Sequence, residues 1–255
     1  VELDELWSFV LRKRSAGAEA HGESPEESRD GRQWVWVSFA PEFRLVLATY
    51  VGPRTFQSAL KLIQMTALVV LGVPVFFSDG FSSYLPALIE VYHQWKTFAR
   101  TGKRGRPKNP VKEPHPDLVY AQLVKEKQQG RLKNLTKRVC LGAEHLATLG
   151  LNISTSYVER FNLTLRHALA PLTRKCLGFC KDRTQLRRRV TFYQAFYNFA
   201  RPHQSLRLPL PDVDLAEVPR FQRKWQPRTP GMAAGLTDHV WSFRELLTVK
   251  FEPVQ

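Results

Sequence analysis

The spacing of hydrophobic and polar positions predicts strands at the start of the chain. Three segments rich in β-branched and aromatic residues, partly in strict alternation, read as strands: residues 1–13, 33–40 and 43–52. Only Pro41 and Glu42 separate the last two segments, so we expect these to form a hairpin. The polar, acidic residues 15–32 have no periodicity and predict an extended hairpin loop.

The pattern then alternates between helical and strand spacing. Residues 54–72 carry apolar side chains at nearly helical intervals, which predicts a helix ending at Gly72. Residues 74–80 predict a short strand closed by Ser-Asp-Gly, and residues 82–96 predict a second helix. Three antiparallel strands, a helix, a strand and a helix are the element order of an RNase H-like α/β core, a mixed sheet flanked by helices.

The second half of the chain predicts a hairpin, two helices and a tail. Residues 101–116 are basic and proline-rich, which is typical of a linker, and the hairpin over residues 118–142 follows it. Residues 154–175 predict a helix capped by Ser154 or Ser156 and ended or kinked at Pro171; residues 184–200 predict another. We therefore expect a catalytic core over residues 1–203, with a linker and hairpin insertion at 101–150, and a proline-punctuated, basic tail over residues 204–255 that ends in a short helix.

Composition points to a polyanionic partner. The 255 residues include 38 Lys and Arg against 23 Asp and Glu, a net charge of +15. A domain this basic usually meets nucleic acid, although a merely cationic soluble protein is the alternative. Three cysteines do not make a disulfide framework and fit a reducing cytosol. The longest apolar run, residues 66–77, is too short and too broken to cross a bilayer.

Three carboxylates far apart in the chain form the candidate chemistry. Asp4 lies in the first strand, Asp79 at the end of the fourth, and Glu159 on a later helix. In an RNase H-like sheet the first and fourth strands are neighbours, so these acids can converge. Gathered carboxylates raise one another's pKa unless a cation lies among them. Magnesium takes such oxygen ligands, and two ions about 3.5–4 Å apart would suit phosphoryl transfer.

Each acid also has an ordinary interpretation. Asp79 before a glycine is typical of a turn, and Glu159 could lie on a solvated helix face. Alternation places Glu2 on the same strand face as Asp4, which leaves open which acid of VELDEL is the ligand. Arg166 follows Glu159 by seven residues and shares its helix face.

Five segments carry a family pattern: VELDELWSFV, FFSDGFSSY, YVERFNLTLRHALAPLTRKCLGF, FYNFARPHQSL and RTPGMAAGLTDHVWSFRELL. Together they resemble the DDE transposases of bacterial insertion sequences, of the insertion-sequence-one type. The most specific motif is Tyr-x-Glu-Arg-x-Asn-x-x-x-Arg, which begins at Tyr157 and includes Glu159, Arg160, Asn162 and Arg166.

This resemblance implies an RNase H-like core that cleaves element ends and joins their 3′-hydroxyls to target DNA. It implies a triad of Asp4, Asp79 and Glu159 that holds Mg²⁺ or Mn²⁺, as two ions, with Arg166 as the following basic residue. It further implies a homo-oligomer acting on DNA, away from membranes, in the bacterial cytoplasm at the nucleoid. Family members also carry an amino-terminal DNA-recognition region, to which nothing here corresponds; Cys176 and Cys180 replace the usual hydroxyl residues.

Basic residues supply the expected DNA contacts. Lys103, Arg104, Arg106 and Lys108 resemble an AT-hook core, with a solvated loop as the alternative. Further candidates lie on or after the glutamate helix: Arg160, Asn162, Arg166, Arg174, Lys175, Arg187 and Arg188. The tryptophans Trp7, Trp34, Trp36 and Trp95 are expected in the core rather than as stacking platforms.

Two other functions remain compatible with these residues. One is a non-catalytic or domesticated DNA-binding protein derived from a transposase. The other is an RNase H-like nuclease that hydrolyses DNA without joining it. A metal-dependent nicking assay and a strand-transfer assay separate the three.

Overall fold

A computed structural model describes residues 1–11, 31–98, 108–129, 131–173, 177–210 and 224–249. Its strands and α-helices are, in chain order, β1 (Glu2–Val10), β2 (Gly31–Ala40), β3 (Leu45–Gly52), α1 (Phe56–Ala67), β4 (Phe76–Ser78), α2 (Tyr84–Val91), β5 (His93–Lys96), β6 (Val111–Pro114), β7 (Tyr120–Gln128), β8 (Arg131–Leu141), α3 (Ala143–Leu149), α4 (Ser156–Ala168), α5 (Arg183–Ala195), β9 (Leu208–Pro209), β10 (Trp225–Gln226), α6 (Pro230–Ala233) and α7 (Phe243–Thr248). A π-helical segment, Phe196–Ala200, continues α5.

Six strands form one mixed sheet in the order β3-β2-β1-β4-β7-β8. β1, β2 and β3 are antiparallel neighbours, whereas β4 runs parallel to β1 and β7 runs parallel to β4. β8 returns antiparallel along β7. The predicted α/β class, a mixed sheet flanked by helices, is confirmed. The β7–β8 hairpin is part of this sheet, because β7 hydrogen-bonds to β4.

Helices cover both faces of the sheet. Leu6 of β1 belongs to one apolar cluster with Leu165 of α4 and Val190 of α5. Leu3, three positions before Leu6 and so on the opposite face of the strand, belongs to a second cluster with Leu62 of α1 and Leu88 of α2. Since alternate residues of a strand point to opposite faces, β1 is buried on both sides, which explains its nearly continuous apolar pattern.

Several predicted elements are confirmed, whereas the ends of others differ from the prediction. The β2–β3 and β7–β8 hairpins form as predicted. Helix α1 ends at Ala67 rather than Gly72, because the apolar residues beyond it, such as Leu71, have no core beneath them and are exposed. The predicted helix over residues 82–96 ends at Val91, since the chain from His93 pairs with β6 instead. Helix α3 was not expected from the sequence pattern.

The aromatic residues divide between core and surface. Trp36 is fully buried in the second cluster, as expected. The expectation that Trp95 lies in the core is wrong: it is 60% exposed on the two-stranded β5–β6 sheet, outside the six-stranded sheet. In the tail, Trp241 stacks on Phe199 with ring centroids 4.5 Å apart, so described tail residues pack against the π-helical segment. Among the described residues, no helix combines the length and the apolar character that a membrane crossing requires.

Candidate metal centre

The parallel pairing of β1 and β4 brings two of the predicted acids together. Leu3 is the register partner of Ser78, so the next residues along the two strands, Asp4 and Asp79, lie side by side. One carboxylate oxygen from each of Asp4, Glu5 and Asp79 lies within 4.8 Å of the others. The structure thus places Asp4 and Asp79 together, as expected, and adds Glu5, which the sequence argument did not select.

Asp4 is a half-buried carboxylate in the middle of this cluster. Its Oδ1 accepts a hydrogen bond from the Glu5 backbone N–H at 2.9 Å, and its Oδ2 accepts one from Asn162 Nδ2 at 2.8 Å. Burial, followed by the charges of Glu5 and Asp79, raises the pKa of Asp4 to about 7. A carboxyl group in this position is costly to ionise unless a cation joins it.

Asp79 combines the turn role and the cluster role. Its Oδ1 accepts a hydrogen bond from the Phe81 backbone N–H at 3.0 Å, which is the turn expected of an aspartate before glycine. That bond fixes the side chain, and Oδ2 lies 4.0 Å from Arg54 Nη2. The two interpretations of Asp79 are therefore compatible, because the turn orients the carboxylate toward Asp4.

Glu5 is already satisfied by the protein. Its side chain is 1% exposed, and its Oε1 accepts hydrogen bonds from Arg54 Nε at 2.7 Å and from Arg54 Nη2. Its Oε2 accepts one from the Tyr84 hydroxyl at 2.9 Å. Burial and then Asp79 raise the pKa of Glu5, whereas Arg54 lowers it. With both oxygens engaged, Glu5 orients Arg54, and Asp4 and Asp79 remain as the candidate ligands.

Arg54 is a resident cation at the edge of the cluster. Its guanidinium lies over the ring of Phe81, 4.4 Å from the centroid, and 4.9 Å from the ring centroid of Trp34. The sequence offered one signal for the Glu5–Arg54 pair: strand alternation on β1 directs Glu5 to the sheet face opposite that of Asp4. A buried acid on that face needs a cation, but the sequence pattern does not identify which one.

Glu2 resolves the question raised by VELDEL. Its Oε2 accepts a hydrogen bond from the Val158 backbone N–H at 2.7 Å, and the Tyr157 N–H also contacts the carboxylate. These are amides of the first turn of α4, so Glu2 caps that helix from a distant strand. The predicted serine caps are not formed: Thr155 is the N-cap residue, and its side chain makes no capping bond. Because the first turn of α4 lies against β1, its acceptor comes from the sheet.

Glu159 lies across the same cleft from the two aspartates. The acidic cleft has a volume of about 630 Å³, and its lining includes Asp4, Arg54, Asp79, Lys125 and Glu159. The Glu159 side chain is 44% exposed; its Oε1 accepts a hydrogen bond from Thr155 Oγ1 at 2.6 Å and pairs with Lys125. Among the described residues, the close carboxylate cluster does not include Glu159. The third predicted acid therefore faces the cleft but is paired with a lysine.

The candidate DNA contacts have different environments. Asn162 is 5% exposed and positions Asp4, so in this structure it is a partner of the aspartate rather than an exposed contact. Arg166 lines an adjoining cleft of about 780 Å³ that also includes Asp4 and Glu159. The remaining described candidates are exposed on the surface: Lys108, Arg160, Arg187 and Arg188. The other five lie outside the described residues: Lys103, Arg104, Arg106, Arg174 and Lys175.

The donor set fits a hard divalent cation. Asp4 and Asp79 offer carboxylate oxygens, the ligands that Mg²⁺ and Mn²⁺ prefer. Burial and then the charges of Glu5 and Asp79 raise the pKa of Asp4, and a bound cation would offset these effects. Both ions accept the same carboxylate donors, so the site suits either of them.

The chain has no match among protein-family models, curated proteins or solved structures.

Proposed function

We propose that the protein is a DDE-class DNA transposase with an RNase H-like core, which cleaves element ends and joins their 3′-hydroxyls to target DNA. The observation that carries the proposal is the pair formed by Asp4, within β1, and Asp79, just beyond the end of the parallel strand β4, which line one cleft together with Glu159. The sheet order, with β4 and β7 parallel to β1 and the β1–β3 meander beside them, supports the RNase H-like assignment.

Asp4 and Asp79 would hold Mg²⁺ or Mn²⁺, with Glu159 completing a two-ion site. When bound, such ions polarise an attacking water or hydroxyl and stabilise the leaving oxygen of a phosphodiester. Asn162 keeps Asp4 oriented through Oδ2, and Thr155 holds Glu159 at the cleft. For Glu159 to act as a ligand, its oxygen must exchange Lys125 for the ion, after which the lysine ammonium is available to a phosphate.

DNA is the proposed partner in both stages of the reaction. The net charge of +15 favours a polyanion, and exposed arginines on α4 and α5 suit contacts to phosphates of element ends and target DNA. We propose a homo-oligomer as the active complex, at the nucleoid of a bacterial cytoplasm. The homo-oligomer and the location at the nucleoid depend on the transposase assignment and would be withdrawn if that assignment were wrong.

The test is a Mg²⁺-dependent nicking and strand-transfer assay on DNA carrying the element ends, including a pre-cut end. Asp4→Ala and Glu159→Gln should abolish joining and leave DNA binding largely intact, because basic side chains rather than carboxylates attract phosphates. Joining by either variant contradicts the triad. Cleavage by the wild type without any joining identifies a nuclease instead.

A second function is favoured by the Lys125–Glu159 ion pair. In a DNA-binding protein without catalysis, this pair would simply be a half-exposed structural contact, and Glu159 would never leave it. That protein would bind DNA equally well with and without Mg²⁺. It would show no nicking in the wild type or in Glu159→Gln.

A further inference from the structure

A second group of charges lies outside the acidic cleft, at the first turn of α4. We call it the Arg44 cluster: Arg44, Arg160, Arg201 and His203. Arg44 belongs to the β2–β3 turn, Arg160 to α4, and the other two follow the π-helical segment. These four residues come from three separate parts of the chain and lie near one another beside the helix that carries Glu159.

Arg44 is held in a single orientation by several contacts. Its guanidinium lies over the Tyr157 ring, 3.7 Å from the centroid, and its Nη1 donates a hydrogen bond to the Pro41 carbonyl at 2.8 Å. Its Nε lies 3.5 Å from Ser205 Oγ. The backbone of Arg44 is in the left-handed region, with φ 55°, which is costly for a residue with a Cβ. Strain of this kind persists where the surroundings require it, and such positions often serve a function.

The other members surround the same point. Tyr157 and Arg160 are three residues apart on α4 and therefore lie on one face of the helix. The hydroxyl of Ser205, which contacts Arg44, is 2.9 Å from His203 Nδ1. Burial and then Arg44, Arg201 and Arg160 lower the pKa of His203, so all three guanidinium groups act on one imidazole. Arg44, Arg160 and Arg201 therefore all lie near His203, and the exposed Arg160 and Arg201 add positive charge to the surface beside Arg44.

The cluster differs from the cleft in having no acid. In the cleft, Arg54 pairs with Glu5 and Lys125 pairs with Glu159. Among the residues that the structure describes, no carboxylate lies within ion-pair distance of Arg44, Arg160 or Arg201. Gathering like charges without a counter-charge is unfavourable, and a bound anion offsets it. Arginine forks match phosphate oxygens in geometry as well as charge.

We propose that the Arg44 cluster binds the phosphate backbone of DNA, at a site separate from the metal cleft. The choice of DNA as the anion rests on the proposed function, whereas the phosphate chemistry does not. Because Arg160 is the residue after Glu159, a duplex held at the cluster would continue past the acidic cleft. The cluster would then position DNA without reading its sequence.

The experiment measures affinity for a labelled DNA duplex against salt concentration, in EDTA so that the metal cleft does not contribute. Arg44→Ala and Arg160→Ala should each weaken binding several-fold and reduce the slope of log K against log salt by about one. The matched control is Arg131→Ala, an exposed arginine on β8 at the opposite edge of the sheet, whose slope should not change. Equal slopes for Arg44→Ala and Arg131→Ala would overturn the proposal.

Arg44→Gly separates binding from folding. Glycine relieves the left-handed backbone, which offsets the lost contacts to Tyr157 and Pro41, so the melting temperature should change little while DNA affinity falls. A fall in melting temperature with unchanged DNA affinity would show a structural role and contradict the proposal. If Arg44→Ala loses binding of inorganic phosphate but keeps its affinity for DNA, the site takes a small anion and the DNA assignment is wrong. Loss of DNA affinity in a protein that never nicks DNA would leave this site standing and remove the transposase.

Discussion

The two walls of the acidic cleft hold their carboxylates in different ways. In the sheet wall (Asp4 and Asp79, with the buried Glu5 close to both), strand pairing sets the positions, and each side chain has at least one hydrogen bond. In the helix wall, Glu159 is 44% exposed, and among the described residues it is held by Thr155 and by Lys125, which reaches it from β7. Backbone topology has assembled one wall, whereas side-chain contacts that an ion can replace hold the other.

The charge balance of the walls differs as well. The three acids of the sheet wall share one nearby cation, Arg54, and the pKa of Asp4 is raised to about 7 as a result of burial and its acidic neighbours. Glu159 of the helix wall is paired with Lys125, a residue of β7 in the sheet. The difference places the uncompensated negative charge at the sheet wall; under the proposed function, Glu159 would have to give up Lys125 before it could bind the same ion.

The largest expected effect is the loss of cleavage in Asp79→Asn and Glu159→Gln, and Mn²⁺ affinity should distinguish these two variants. Asp79→Asn removes a ligand and should lower both cleavage and Mn²⁺ affinity, the former on the order of 10³-fold or more. Glu159→Gln should lower cleavage similarly but weaken Mn²⁺ binding by less than about tenfold, because Asp4 and Asp79 remain. Single-turnover nicking and Mn²⁺ titration by electron paramagnetic resonance measure the two quantities.

The control for this comparison is Asp117→Asn, an exposed aspartate outside the cleft, which should behave as the wild type in both assays. If Asp79→Asn and Glu159→Gln lose Mn²⁺ equally, the difference between the walls is wrong.

An intermediate effect is expected from pH. The folded pKa of Asp4 lies above that of a free aspartate, so below about pH 7 an ion must displace a proton. Mn²⁺ affinity should therefore rise up to about tenfold per pH unit as pH approaches 7, and level off above it. The same raised pKa means that, without metal, this carboxyl destabilises the fold progressively as pH rises from about 4 to 7.

Calorimetric Mn²⁺ titrations between those limits check the pH dependence, with Asp4→Asn as the comparison. The steepness should disappear in Asp4→Asn and persist in Glu159→Gln. A flat profile in the wild type contradicts the raised pKa of Asp4.

The smallest effect on metal binding is expected at Glu5. Glu5→Gln should change Mn²⁺ affinity by less than about threefold, because both Glu5 oxygens are bound by Arg54 and Tyr84. Its free energy of unfolding should fall by about 1–2 kcal/mol, since Arg54 loses its partner but is 39% exposed to water. Denaturant unfolding in EDTA measures this cost. A loss of Mn²⁺ like that of Asp79→Asn would make Glu5 a ligand.

Local patterns predicted the elements that build the sheet wall. Alternation identified β1, the Ser-Asp-Gly turn identified the end of β4, and their parallel pairing then followed from the element order. The cap of α4 could not be predicted in this way, because its acceptor is Glu2, a residue 156 positions away from Val158. The Glu5–Arg54 pair was missed for the same reason, since the two residues are 49 positions apart.

Trp95 shows the opposite limit. The apolar residues before it predicted a helix that included the tryptophan, but pairing of His93–Lys96 with Val111–Pro114 creates a separate two-stranded sheet. Composition alone does not distinguish a tryptophan in the core from one on a separate two-stranded sheet such as β5–β6.

The most direct test of the central claim is a crystal structure grown with Mn²⁺, with anomalous differences recorded at the manganese edge. The account predicts an anomalous peak ligated by Asp4 and Asp79, with Glu5 still bound to Arg54 and Glu159 turned from Lys125 toward the ion. Absence of a peak between the two aspartates at saturating Mn²⁺, with their carboxylates placed as described here, would contradict it.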